Sequence, residues 1–443
     1  MKRILLALFL LPVLAFGYSA NDGAKTISSD GSQSDTQAAF DYVDGKNQDG
    51  WEITIGSAAG SYTWTSAVVM SSTFVHSVRI RSAGGWANKT TLTGNFSTGG
   101  SALELIVTNG KYTEISGFIF KAASGAGFGT GWVNFDTNGA GDVHNGFRIH
   151  HCRFEDAGGD SGSKGPMLGI VWPDRRSSGF IDGLVDQNYF YTANSGTLSN
   201  DGIYCWAGTT GSGASDLGQW AGSMTWGTNQ TIRIENNDFD VASGNTVEGN
   251  PAIDSAYYGV RRLIRYNRFH NTVIVAHGAD SAPSSTLQDE ILHNTFTYDT
   301  NDAIDFIYYH RGGSCRFGLN TINFSNGASA NQIVKTAIDH HGSRSLGFQQ
   351  IGHGASSGTE VVEPDYVWGN TINGGSPTVV GAPNNPNAAL EDITGMYVLN
   401  THYFLSAPGG FSEIAYPDSL NTDVGSPGIA GGKAKIGGKA TFK

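Results

Sequence analysis

The sequence predicts an all-β chain wound as a right-handed parallel β-helix behind one short N-terminal helix. Three observations predict it. A short phrase recurs as Ile234–Phe239, Ile264–Phe269, Ile291–Phe296 and Phe317–Ile322, each carrying a central asparagine: Asn237, Asn267, Asn294 and Asn320. These asparagines stand 30, 27 and 26 residues apart, a period that belongs to solenoids with one supersecondary unit per repeat. The phrases put apolar residues at strand spacing between Gly, Asn and Asp, which is a strand-and-turn pattern with about three strands per coil. Coils that stack roughly 4.8 Å apart bring equivalent side chains into columns, so the asparagines at one corner form a hydrogen-bonded ladder.

Composition agrees. The 443 residues include 62 glycines and only 15% charged residues, which suits many tight turns. The first residues are basic, and Ile4 to Phe16 is an apolar core. This predicts a secretory signal peptide over 1–17, cleaved after Gly17 or Ala20, and a secreted or cell-surface product. No later apolar run is long enough for a membrane span. A net charge of −12 without a long basic run argues against nucleic acid as a partner. Of three cysteines, Cys152 occupies the asparagine position of its phrase. We expect buried thiols, with a Cys152–Cys205 bridge as the alternative.

Taken in order, Ser34–Gln37 forms a capping-box pattern ahead of Ala38–Val43, predicting the helix that covers the open end of the first coil. Strands follow at Trp51–Ile55, Ser61–Trp64, Val78–Arg81 and Leu103–Val107, then phrase-like rungs at Ile115–Phe120, Ile149–Phe154 and Val185–Phe190. Two Gly- and Trp-rich stretches, 122–143 and 207–230, read as insertions looping out on the binding face. The last phrase centres on Asn370, 50 residues beyond Asn320, which leaves room for two coils with the middle one through Ser345–Gln350. The β-helix is thus expected over 21–405, with a capping segment or tail over 406–443.

A second phrase repeats between the asparagines. Ala252-Ile253-Asp254 with Tyr257 and Tyr258 matches Ala303-Ile304-Asp305 with Tyr308 and Tyr309, and Ala337-Ile338-Asp339 begins in the same way. Val275 and Tyr204 hold the Asp position in neighbouring coils. If the isoleucines face the core, alternation points the aspartates outward. Stacking would then set Asp305 about 5 Å from Asp339 and about 10 Å from Asp254. Carboxylates that close either push one pKa up or share a cation, Ca2+ being the candidate cofactor. Asp254, Asp305, Asp339 and His340 are therefore the candidate catalytic groups. Tyr257, Tyr258, Tyr308, Tyr309, His277, His310 and Arg311 are the candidate substrate-binding groups. The plainer reading is a solvated outer column with no chemistry.

The asparagine phrases, the capping helix and the Gly60–Trp64 strand resemble the secreted pectin-lyase-like parallel β-helix proteins across most of 25–405, and Val361–Gly374 resembles late coils of that superfamily. The resemblance implies polysaccharide lyases and glycoside hydrolases, and also adhesins and tail spikes, so it leaves function open. Gly352-His353-Gly354 resembles one element of the polygalacturonase set and Asn301-Asp302 echoes another, but no Asp-Asp pair precedes the first and no Arg-Ile-Lys follows it. We expect a protein that acts on extracellular polysaccharide, by hydrolysis through the Asp pair with His353 as a mere turn residue. A lyase would instead use a cation, or Arg311 and Lys335, to neutralise a uronate, with His or Tyr taking the proton. The competing class is a non-catalytic glycan-binding adhesin.

Overall fold

The computed structural model describes residues 17–70, 74–95, 101–123, 131–137, 142–155, 167–170, 180–192, 202–207, 220, 222–242, 251–256, 258–278, 285–300, 303–337, 351–356, 359–381 and 397–421. Each coil contributes a strand to three sheets in turn. The first coil does so with Trp51–Ile55, Ser61–Trp64 and Val68–Val69. The next gives Val78–Ser82, Thr90–Gly94 and Leu103–Ile106. Repetition builds one sheet of 13 strands and two of 10, in which each strand pairs in parallel with its equivalent one coil away. The exception is Ser19–Asn21, antiparallel to Thr26–Ser29 at the N-terminal edge. The fold is a right-handed parallel β-helix, the hand that parallel crossovers take.

Columns of side chains fill the interior. In the first sheet Ile53, Ile80, Ile115 and Ile149 stack in register, and the column continues through Val185, Ile234, Ile264, Ile291, Phe317 and Val367. In the second sheet Phe154, Phe190, Phe239, Phe269 and Phe296 stack with ring centroids 4.7, 4.8, 5.0 and 4.7 Å apart, which is the coil spacing itself.

The corner between first and second sheets carries the ladder. Asn188, Asn237, Asn267, Asn294, Asn320 and Asn370 each accept, through Oδ1, the backbone N–H of the residue one coil before, at 2.9–3.0 Å. Their Nδ2 groups return bonds to preceding-coil carbonyls. Cys152 begins the series, donating its N–H to Asn188. The residue before each asparagine turns the corner at positive φ, including Gln187 (57°), Tyr266 (58°) and His293 (56°). The ladder holds these left-handed residues in place against their local preference.

Several expectations are corrected. The helix runs from Gln33 to Lys46 and its cap is Ser32, whose side chain accepts from the Asp35 N–H, not Ser34. The helix does cover the first coil: Ala39, Phe40 and Val43 pack into the core beside Ile27 and Trp51. Gln37 also closes the strand edge by pairing both Val69 backbone groups at 2.9 Å. The stretch 122–143 is not all insertion, because Val133–Asp136 is a rung of the third sheet and Trp132 is buried. Asn320 and Asn370 lie one coil apart, not two, because Phe317 pairs directly with Val367 and Ile322 with Ile372. Ser345–Gln350 falls outside the described residues. His353 begins a strand, His353–Ser356, in an antiparallel hairpin with Thr359–Val362. All three cysteines are buried and unbridged.

The chain from Phe411 to Asn421 runs back along the outer face of the first sheet. Phe411 meets Trp368, Glu413 meets His293, the Ile414 and Ala415 carbonyls accept from Arg265, and Asn421 reaches Arg148. Beside this strap, Trp226 donates to Glu363 at 2.9 Å and Trp220 packs on Leu287. Both tryptophans therefore belong to the first-sheet side. No helix among the described residues is long and apolar enough to cross a membrane.

Candidate functional site

The outer face of the third sheet brings the sequence candidates together, in a different register from the one expected. The inward column runs Ile203, Ile253, Ile274, Tyr308, Val334. Asp254 therefore shares its outward column with Tyr204 on one side, and with Val275, Tyr309 and Lys335 on the other. Asp254 and Asp305 are not equivalent. The strand Ala303–His310 has eight residues and pairs with Ile274–Ala276 through its last three, so the matching phrases are offset by four positions. Tyr308 and His310 point inward and are wholly buried, which removes both from a sugar-facing role. Asp339, His340 and Tyr257 lie outside the described residues.

What remains is a chain of contacts across successive coils. His277 Nε2 lies 3.0 Å from Asp254 Oδ2, and its Nδ1 lies 3.0 Å from Arg311 Nη1. Arginine can only donate, so Nδ1 accepts and the ring proton sits on Nε2, directed at the carboxylate. Asp254 is buried, and its second oxygen, Oδ1, makes no hydrogen bond. The Arg311 guanidinium stands 5.3 Å from the Tyr309 ring centroid, and Lys335 Nζ lies 5.0 Å from the same ring. Lys335 also pairs with Asp305, and that bond holds the Asp305 carboxyl below its usual range. Asp254 and Asp305 thus bracket His277, Arg311, Tyr309 and Lys335. Each carboxylate has its own cationic or imidazole partner.

Aromatic rings border Asp254. Trp206 and Tyr258 stack at 5.8 Å with 12° between planes, and Tyr204 meets Trp206 edge-on at 6.2 Å. All three are half-buried, presenting ring surface beside the carboxylate. Tyr258 reaches this position with φ at 61°. Tyr258 is a substrate-binding candidate of the sequence and Trp206 belongs there to the Trp-rich insertion on the binding face; in the structure Trp206 closes the strand Ile203–Trp206, whose Tyr204 pairs with Asp254. Lys335 was seen only as an auxiliary, and its proximity to Arg311 appears only once the coils are stacked.

The architecture is that of a parallel β-helix. No family model and no curated protein matches the sequence. Among solved structures, an alginate lyase from Paenibacillus sp. str. FPU-7 is similar, at 15% identity and a TM-score of 0.40, over 81% of this chain and 99% of that one.

Proposed function

We propose that this chain is a polysaccharide lyase that cleaves a uronate-containing glycan by β-elimination on the outer face of its third sheet. One observation carries the reading: His277 is held between a buried carboxylate, Asp254, and a guanidinium, Arg311. Elimination begins with removal of the proton on C5, which is acidic only if the adjacent carboxylate is neutralised. Arg311 and Lys335, both against Tyr309, supply two positive charges at one place for that carboxylate. A uronate that engages Arg311 draws its donor away from His277 Nδ1, and the lone pair released there is the base. Asp254 accepts from Nε2 and stabilises the imidazolium, as an orienting carboxylate does in other His-centred sites. The electron pair from the C5–H bond forms the C4=C5 double bond and the C4–O4 bond breaks. The imidazolium returns the proton to the departing O4, so the step balances without a further acid.

Hydrolysis through paired aspartates has weaker support. Asp305 is tied to Lys335 and held ionised, which suits a carboxylate that positions a lysine and not one that donates a proton. Trp206 and Tyr258 would carry the neighbouring sugar, and the apolar leader over 1–17 suits an enzyme that meets its polymer outside the cell. The test is incubation of the full chain with uronate homopolymers, uronate copolymers and neutral glucans. The ultraviolet absorbance of the new double bond is followed beside reducing-end release. Unsaturated products from a uronate polymer are expected. Reducing ends without that absorbance would make the protein a hydrolase, and binding without cleavage would make it an adhesin.

A further inference from the structure

Directly behind this surface, inside the solenoid, lies a polar cluster that the proposed reaction does not use. The strand carrying Tyr309 outward carries Tyr308 and His310 inward. His310, Cys315 and Asp365 are all buried, and their ligand-type atoms lie within 4.8 Å of one another. His310 and Cys315 flank one tight turn through Gly313, at φ 74°, and Asp365 comes from the next coil.

Hydrogen-bond accounting shows that this cluster must hold a proton or a metal ion. Asp289 is forked onto Arg262 by two bonds of 2.7 Å, so it is ionised and can only accept. Tyr308 Oη, 2.6 Å from Asp289 Oδ2, must spend its single proton there. The 3.0 Å contact between Tyr308 Oη and His310 Nδ1 is then donated by Nδ1–H. A neutral His310 therefore turns the bare lone pair of Nε2 toward Asp365 Oδ1, 3.2 Å away. That oxygen already accepts the Cys315 N–H at 2.6 Å, and Asp365 Oδ2 accepts Tyr397 Oη–H at 2.9 Å. Two acceptors facing each other in a dry interior require a proton or a metal ion between them.

We propose that His310 Nε2, Cys315 Sγ and an Asp365 carboxylate oxygen bind a structural zinc ion inside the β-helix. Imidazole, thiolate and carboxylate are the donor set zinc takes. One thiolate and one carboxylate also cancel its charge, which a buried site needs. Binding releases two protons, the one on the Cys315 thiol and the one that the zinc-free site holds between His310 Nε2 and Asp365, and leaves Nδ1–H and the Tyr308 proton in place. The relay Arg262–Asp289–Tyr308–His310 is the outer support that fixes the imidazole with Nε2 free to ligate. Tyr397, at Asp365, would tie the C-terminal coil to the same ion. A metal here stiffens the end of the strand from which Tyr309 and Arg311 project, yet the site stands whether or not the surface is catalytic.

The experiment loads the full chain with zinc, removes unbound metal by gel filtration and counts what remains by elemental analysis. About one zinc per chain is expected, with a fall in Tm when a strong chelator removes it. Cobalt in its place should give the near-ultraviolet thiolate charge-transfer absorption, lost in Cys315→Ser and kept in Cys205→Ser. A chain that retains no zinc after loading or after refolding in zinc would mean the charge is a proton on His310, and the proposal would fall. A cobalt–thiolate band that survives Cys315→Ser would also overturn it. If Cys315→Ser does not fold, the zinc count and cobalt spectrum of the unaltered chain decide alone.

Discussion

His277 takes a hydrogen bond from Arg311 at 3.0 Å, across one step of the solenoid, on the ring nitrogen that faces away from Asp254. In that state the imidazole is neutral and its basic lone pair is occupied. A carboxylate that attracts the guanidinium would uncover the base at the moment substrate arrives, which suppresses unproductive proton exchange. Replacing His277 by Gln keeps a polar side chain in the half-buried site. It should lower kcat by about 10²–10⁴ with little change in KM or in Tm, read from initial rates of double-bond absorbance.

Arg311 and Lys335 divide between them the charge that a uronate must meet. Arg311→Gln should cost about 10²–10³ in kcat/KM, because the carboxylate loses its donor and His277 loses the partner that a substrate displaces. Lys335→Gln should act chiefly on KM. It also leaves Asp305 without its cation, so Asp305→Asn in the same chain should recover part of the loss. The readout is steady-state kinetics at two ionic strengths, with the salt dependence of KM reduced in both single variants.

The ladder makes a stability prediction that owes nothing to catalysis. Asn267 Oδ1 accepts from the Asn237 backbone at 2.9 Å, and its Nδ2 donates to the Ile234 carbonyl at 2.8 Å. Both partners are interior, and Asn267 is itself buried. Asn267→Ala leaves them unsatisfied beside Tyr266, whose left-handed corner the bonds secure. A loss of about 3 kcal/mol is expected from denaturant unfolding. Asn267→Asp should be no better, because a carboxylate cannot donate to Ile234.

That ladder was legible because one residue type at a fixed period is a signal that survives any change in loop length. The outer face of the third sheet was not, for a reason visible at Ile304 and Tyr308. The phrases around Asp254 and Asp305 look alike, yet Ile274 pairs with Tyr308 and not with Ile304. A longer strand can slide by an even number of residues and still bury apolar groups, so periodicity alone leaves the register open. The sequence therefore named His277, Arg311, Tyr309 and Asp254 but assembled them around an Asp column. Alternation from Ile304 puts Tyr308 and His310 on its own inward face, against the sugar-facing role that their chemistry suggests, and Asp289 supplies the partner that lets the Tyr308 hydroxyl lie inside.

Under the 220–230 segment, burial pushes the Glu290 carboxyl up to about 7, although the Gly227 N–H and Arg316 pull it down. A carboxyl whose folded pKa exceeds its ordinary value of 4.5 binds its proton more tightly in the folded chain. Its contribution therefore favours folding in acid and is lost as pH rises through about 7. Relative to Glu290→Gln, the unaltered chain should lose stability steadily across that window. The difference should be on the order of 3 kcal/mol at its upper end. Tm measured for both proteins across the range checks it, and parallel curves would refute it.

The C-terminal strap adds partners to arginines that the first sheet already pairs, Arg233 with Asp182 at 3.5 Å and Arg265 with Glu235 at 2.6 Å. Arg233, fully buried, has Nε 2.8 Å from Asp418 Oδ2, and Arg265, equally buried, donates to the Ile414 and Ala415 carbonyls at 2.8 and 2.9 Å. Asp418→Ala removes one of the two buried carboxylates that face the Arg233 guanidinium and leaves Asp182, so it should cost about 1–3 kcal/mol. Ending the chain before Phe411 exposes both arginines to water instead of stranding them, so truncation should be less damaging than the Arg233 and Arg265 bonds added together. Thermal unfolding of the two variants separates these cases. If the truncated chain unfolds at the same temperature as the intact one, the strap contributes nothing and the arginines are satisfied from within the sheet.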